Sequence, residues 1–168
     1  PQPFHDRVNP ADIPPLRPAN LPDKPDYFDL IRRYRRLDEV SAEVFAQIQA
    51  IYLGSNSYVD WMLGQLLDAL DETGLAENTC VVVTSDHGDW AGDYGLVEKW
   101  PSALDDTLTR VPLIIRAPGG AAGHVVPEPI EFFDIMATTL DLAGVEARHT
   151  HFAQSLVTQL HGAPGDPD

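Results

Sequence analysis

Residues 80–99 read CVVVTSDHGDWAGDYGLVEK, and the fold turns on how this stretch is parsed. Cys80 to Thr84 is a short, valine-rich apolar run, which predicts a buried strand of an α/β sheet. The run stops at Ser85-Asp86-His87-Gly88, a glycine-punctuated loop follows, and Lys99 closes it. Open α/β sheets keep their chemistry just outside the carboxyl ends of such strands. Asp86 and His87 are therefore candidate metal ligands, and Lys99 is a candidate contact for an anionic substrate. Neighbours on an extended strand point to opposite faces, so the pair can converge only where the chain turns. Gly88 relieves the steric limits on that turn. The carboxylate suits hard cations such as Ca²⁺ or Mg²⁺, and the imidazole extends the range to Mn²⁺ or Zn²⁺. Two ligands do not complete a site, because Ca²⁺ takes six to eight oxygens. The bland alternative is that Asp86 caps the turn, His87 packs as a satisfied histidine, and Lys99 is solvated surface.

Outward from this stretch, the pattern from about Tyr27 to Thr73 is helical. Val40, Val44, Ile48, Ile51, Tyr52, Ser55, Val59, Met62, Leu63, Leu66, Leu67 and Leu70 recur at spacings of three and four, predicting one buried stripe. Gly74 is placed as the stop, and Gly54 as a bend or close packing point. The run Arg32, Arg33, Arg35, Arg36 is read as paired with neighbouring acids. Downstream, Val111–Arg116 (VPLIIR) reads as a second strand, with Ser102 to Asp105 as a capping box before it. Phe133 to Ala143 reads as a helix ended by Gly144, and Phe152 to Leu160 as a short apolar patch in a polar tail. Helix, short loop and apolar strand in that order give the rhythm of an α/β fold with a mostly parallel sheet flanked by helices. Eight of the fifteen prolines lie in residues 1–25, so that arm should be extended and lie across a larger body. The expected organisation is a single domain, with 1–37 as a Pro-rich arm and short helix and 38–168 as the α/β body.

Bulk properties exclude several classes. The formal net charge is −15, from 26 acidic and 11 basic residues, which argues against nucleic acid and anionic membrane surfaces as partners. Between Arg36 and Lys99 there are twelve acids and no Lys or Arg. No apolar run reaches the roughly 20 residues of a membrane span, and the N-terminus lacks the layout of a signal peptide. Cys80, alone of its type, cannot form an internal disulfide and is read as a buried small hydrophobe rather than a nucleophile. The compartment is not legible from redox chemistry; a cytoplasmic location is marginally preferred, with periplasmic or secreted as the alternatives.

The segment ENTCVVVTSDHGDWAGDYGLVEKWPSALDDTLTRVPLIIRAPGG resembles the sulfatase family of the alkaline phosphatase superfamily. The motifs that carry the resemblance are Thr84 to Gly88, Gly92 to Leu96, Lys99, and Arg110 to Arg116 with Pro118-Gly119. Ser57 to Thr79, Phe132 to Val145 and Ser155 to Leu160 resemble the family's flanking segments. The resemblance implies part of an alkaline-phosphatase-like sandwich. It implies that Asp86 and His87 ligate a divalent metal, Ca²⁺ first with Mn²⁺ or Mg²⁺ as alternatives, and that His87 stands where many members have Asn. It implies that Lys99 contacts the oxygens of a small sulfate-ester substrate. Arg110 also falls in a family motif and is read as structural, pairing with Asp105 or Asp106.

The departures are equally specific. Cys80 is followed by three valines, so the chain lacks the CxPxR-type motif whose cysteine becomes the formylglycine nucleophile. The paired N-terminal aspartates that complete the family's metal site are absent as well. The chain thus reads as the C-terminal portion of a sulfatase catalytic domain, inactive alone, with its formylglycine expected outside this chain. Two rivals remain: a phosphonate monoester or phosphodiester hydrolase of the same superfamily, and a non-catalytic binding or assembly module. An exposed apolar sheet edge would favour a homo-oligomer.

Overall fold

The computed structural model describes residues 1–100 and 103–165. Helix α1 (Tyr27–Tyr34) stops where Arg36 enters the left-handed region at φ 55°. Helix α2 (Ala42–Glu72) then opens on a Ser41 N-cap whose hydroxyl accepts from Val44 N at 3.4 Å. It ends with Thr73 Oγ1 donating to Ala69 O and Gly74 at φ 70°, the left-handed stop read from the sequence. Strands β1 (Val81–Thr84) and β2 (Leu113–Arg116) are neighbours in one two-stranded antiparallel sheet. Helix α3 (Asp106–Thr109) lies between them in sequence, and α4 (Asp134–Leu142) and α5 (Val157–Leu160) follow. No helix among the described residues is long and apolar enough to cross a membrane.

The chain divides into two compact units whose boundary in sequence runs through both strands. The first holds residues 1–74 and 83–113. Its core gathers Phe28, Trp90, Tyr94, Leu96 and Leu108, with Trp90 and Leu96 fully enclosed. The Phe28 ring meets Trp90 edge-on at 5.2 Å, and Trp90 meets Tyr94 in the same way at 5.7 Å. The Pro-rich arm is laid on α2, as its scattered apolar residues require. Phe4 packs 5.2 Å from Tyr58 and 5.9 Å from Trp61, and a side chain at Gly54 would overlap Phe4 O. Gly54 is thus a close packing point. The arginine run is mostly paired as read: Arg32 with Asp29, Arg35 with Glu98 at 3.1 Å, and Arg36 with Glu39 at 2.6 Å.

The second unit holds residues 75–82 and 114–168. Its polar centre is Asp134, buried and accepting Glu131 N at 3.0 Å and Gln154 N at 2.8 Å. Thr138 accepts Leu156 N at 2.9 Å, so the tail is held to α4 by side chain to backbone bonds. Cys80, Val82, Ile115, Ile135 and Leu142 line an open apolar groove in this unit.

Four expectations need correction. The α2 stripe is only partly buried: Val44, Ile51, Val59, Met62 and Leu66 are exposed, Ile48, Tyr52, Leu63, Leu67 and Leu70 are half-buried, and the fully buried residues of the helix are Phe45, Ala50 and Gly54. The arm covers the helix at Gly54, Tyr58 and Trp61. Cys80 is exposed, because β1 alternates half-buried and exposed positions rather than being covered on both faces. Arg110 does not pair with Asp105, whose carboxylate takes Lys24 at 2.5 Å. Asp105, with its side chain accepting Thr107 N at 3.0 Å, is the observed cap of α3; Ser102, expected to open a capping box there, lies outside the described residues.

Candidate active site

Where β1 ends, Ser85 Oγ donates to His87 O at 2.7 Å and closes the turn that the Asp-His pair needs. Asp86 Oδ1 accepts His87 N at 3.0 Å. The His87 ring contacts Gly88 O through Nδ1 at 2.7 Å. A carbonyl can only accept, so Nδ1 is the donor in this contact. Nε2 lies 3.5 Å from Asp86 Oδ2. One polar atom of each side chain is used within the turn, and the remaining atoms, Asp86 Oδ2 and His87 Nε2, face one another. The donor set and its spacing fit a divalent metal. The Asp86 side chain is 80% exposed and that of His87 37%, so both are accessible. Among the described residues no group of three or more His, Cys, Asp or Glu side chains that could hold a metal ion forms.

The loop beyond Gly88 is fixed by backbone bonds. Trp90 N donates to Glu98 O and Gly92 N to Leu96 O, each at 2.8 Å. The first of these returns the chain to its own beginning, so Lys99 follows directly on a residue tied to Trp90. Among the described residues four non-glycine residues have positive φ, and three of them, Ala91, Tyr94 and Glu98, are in this loop. Holding such residues left-handed costs energy that the buried Trp90 and Leu96 offset. Lys99 is exposed, and among the described residues no ion pair or hydrogen bond joins it to Asp86 or His87. The structure thus brings Asp86 and His87 together and places Lys99 at the return of the same loop.

Sequence reasoning missed the support behind this turn. Gly88 N donates to Leu108 O at 2.8 Å, and a side chain at Gly88 would overlap Thr107 O. The arm reaches α3 through Lys24 on Asp105 and through Arg17 Nη1 donating to Thr107 Oγ1 at 2.6 Å. Arg17 N also donates to Asp93 Oδ1 at 2.8 Å, and the Lys24 ammonium sits 4.3 Å from the Tyr94 ring centre. Burial pushes the Asp105 carboxyl up, but Lys24 and the Thr107 amide and hydroxyl outweigh that and hold it at about 2. Lys24 is raised in turn, chiefly by its hydrogen bond to Asp105. Partners 81 residues apart leave no local pattern to read. The only signal was a pair of cations in an arm otherwise rich in proline.

A profile of the sulfatase family matches residues 11–145. The chain belongs to the sulfatase family. This sulfatase chain is 38% identical over 121 residues to a sulfatase of Formosa agariphila, covering 72% of the present chain and 23% of that protein. It is 39% identical over 130 residues to arylsulfatase K of Danio rerio, covering 74% and 24%. Among solved structures, a phosphonate monoester hydrolase from Silicibacter pomeroyi superposes with a TM-score of 0.82 at 35% identity, over 99% of this chain and 35% of that one. The chain therefore spans about a quarter of the length of the curated relatives it matches and about a third of the structural one.

Proposed function

We propose that this chain forms the metal-ligating and anion-binding wall of a sulfatase-type active site that hydrolyses small sulfate esters. Asp86 holds a divalent metal through its carboxylate, and His87 through Nε2. Ca²⁺ is the first choice of metal, with Mn²⁺ or Mg²⁺ as alternatives. When bound, the metal supplies Lewis-acid stabilisation of charge developing on the ester oxygens. Lys99 neutralises the same anion from the loop return, and a flexible ammonium is suited to that task. The formylglycine nucleophile and the remaining metal ligands lie outside this chain, so the 168 residues alone are inactive. The surrounding domain is the alkaline-phosphatase-like sandwich, with a mostly parallel sheet to which β1 and β2 contribute. The exposed apolar positions Val82 and Ile114 on those strands favour self-association of the isolated chain.

The observation that carries this reading is the 3.5 Å approach of His87 Nε2 and Asp86 Oδ2 at the end of β1. Metal titration of the intact protein tests it: Asp86→Ala with His87→Ala should lower affinity for Ca²⁺ or Mn²⁺ by at least about 10-fold. Unchanged affinity would remove the ligand assignment. A second reading is favoured by one specific finding, the 99% coverage of this chain by a phosphonate monoester hydrolase structure. Turnover of aryl sulfate and aryl phosphonate esters by the intact protein separates the two. Much faster phosphonate cleavage would replace sulfate with phosphonate as the substrate class.

A further inference from the structure

The Pro-rich arm does more than cover α2, because it carries the two cations that hold α3 against the Asp86–His87 turn. The connections run in one line. Lys24 Nζ binds Asp105 Oδ2 at 2.5 Å, and Arg17 Nη1 lies 3.7 Å from Oδ1 of the same carboxylate. Asp105 caps α3: its side chain accepts Thr107 N, and its carbonyl accepts Leu108 N at 2.8 Å and Thr109 N at 2.9 Å. The turn so fixed presents Leu108 O to Gly88 N at 2.8 Å and sets Thr107 O where a Gly88 side chain would otherwise be. Leu108 is itself buried in the core with Trp90 and Tyr94, so α3 cannot slide to relax these contacts. Gly88 O is in turn the acceptor that keeps the proton of His87 on Nδ1. Gly88 is the least restrained residue in this line, and α3 restrains it at its nitrogen and at its Cα.

We infer that Lys24 and Asp105 are positioning residues for His87: the ion pair between arm and α3 fixes Gly88 at its nitrogen and Cα, sets the direction of its carbonyl, and thereby holds the neutral imidazole as the Nδ1–H tautomer with Nε2 free. This rests on the proposed role of His87 as a ligand, since only then does a free Nε2 matter to the reaction. The side chains of Lys24 and Asp105 are 26% and 11% exposed, so the pair is sheltered enough to impose one geometry on α3. Outer-shell partners of this kind commonly alter metal affinity by about 10- to 100-fold when removed, although they touch neither metal nor substrate.

The test is spectroscopic and needs no metal. In the intact protein labelled with nitrogen-15 at histidine, long-range proton–nitrogen spectra report which ring nitrogen of His87 is protonated, with His87→Gln assigning the signal. The native protein should show the Nδ1–H form alone. Asp105→Asn and Lys24→Met should each convert His87 to a mixture of tautomers, and Lys24→Arg should restore the single form. A purely structural role would lower stability and leave the tautomer as it was. If His87 stays wholly Nδ1–H in both variants, the inference is overturned. Should Asp105→Asn fail to fold, Lys24→Met decides alone, because it keeps the N-cap bond from Asp105 to Thr107. Manganese titration of the same variants should show a loss of about 10-fold or more. Manganese affinity that is unaffected by His87→Ala would remove the metal reading, while the tautomer result would still stand or fall by itself.

Discussion

The loop from Asp86 to Lys99 and the helix α2 make opposite use of their sequences. The loop has three glycines after Asp86, three non-glycine residues with left-handed backbone and no regular pattern, yet it encloses Trp90 and Leu96 completely. Helix α2 has a clear apolar stripe, yet Val44, Ile51, Val59, Met62 and Leu66 are between 37% and 55% exposed. The difference lies in where the partner surface is. The loop carries its own partners, because Phe28 and Leu108 close over it within the same unit. The stripe of α2 needs a second surface, and the arm supplies one only at the neighbouring face of Gly54, Tyr58 and Trp61. A pattern announces that a face wants burial; a short closed circuit of contacts achieves it.

The largest effect should come from Gly88→Ala. The added methyl group overlaps Thr107 O, which belongs to the backbone and cannot rotate away. We expect a loss of about 4 kcal/mol or more, or no folded protein, as read by urea unfolding. A loss below about 1 kcal/mol would mean that α3 is free to move from the turn, which would break the contrast at its strongest point.

A paired truncation comes next. Leu96 is fully buried and Leu66 is 53% exposed. Leu96→Ala should cost about 3 kcal/mol, because it leaves a cavity in a core that cannot collapse. Leu66→Ala should stay within about 1 kcal/mol in the 168-residue chain. Equal losses would show that the stripe is as well covered as the loop.

This contrast also marks what the sequence made legible. The presence of β1, β2, α2 and α4 and their C-terminal ends followed from apolar runs and from the stops at Gly74 and Gly144, since these depend on local backbone limits, whereas the starts of α2 at Ala42 and of β2 at Leu113 did not. The convergence of Asp86 and His87 followed from the need to turn at a strand end, and Gly88 marked that turn. The exposure of Cys80 and of the α2 stripe did not follow, because burial depends on which surfaces are present. The ring proton on His87 Nδ1 was invisible too, since it is set by a carbonyl whose position depends on α3. Asp105 illustrates the same limit. Arg110 stands five residues away in sequence, but the cations that reach it are Lys24 and Arg17, brought by the arm.

Asp105 gives a pH-dependent prediction. Its folded pKa of about 2 lies below its ordinary 3.8, so its contribution is fully present above 3.8 and is lost as pH falls toward 2. Discounted for the water that reaches the pair, Asp105→Asn should cost about 1–2 kcal/mol at pH 7. The gap between native and variant protein should close between pH 3.8 and about 2. A gap that persists unchanged at pH 2 would show that the carboxylate charge is not what holds α3.

The smallest effect is the most informative about α2. Gly64 lies in the helix interior, and a methyl group added there meets nothing within 4 Å. Gly64→Ala should therefore stabilise the 168-residue chain by about 0.5–1 kcal/mol, because alanine has the better helix propensity and gives up less freedom on folding. Thermal unfolding should register a small rise in midpoint. The same substitution in the intact protein reports on the stripe. If the gain persists there, this part of α2 faces solvent and its apolar residues are surface. If it turns into a loss of more than about 1 kcal/mol, a second surface approaches the helix backbone at Gly64, and the sequence pattern of α2 was written for that contact.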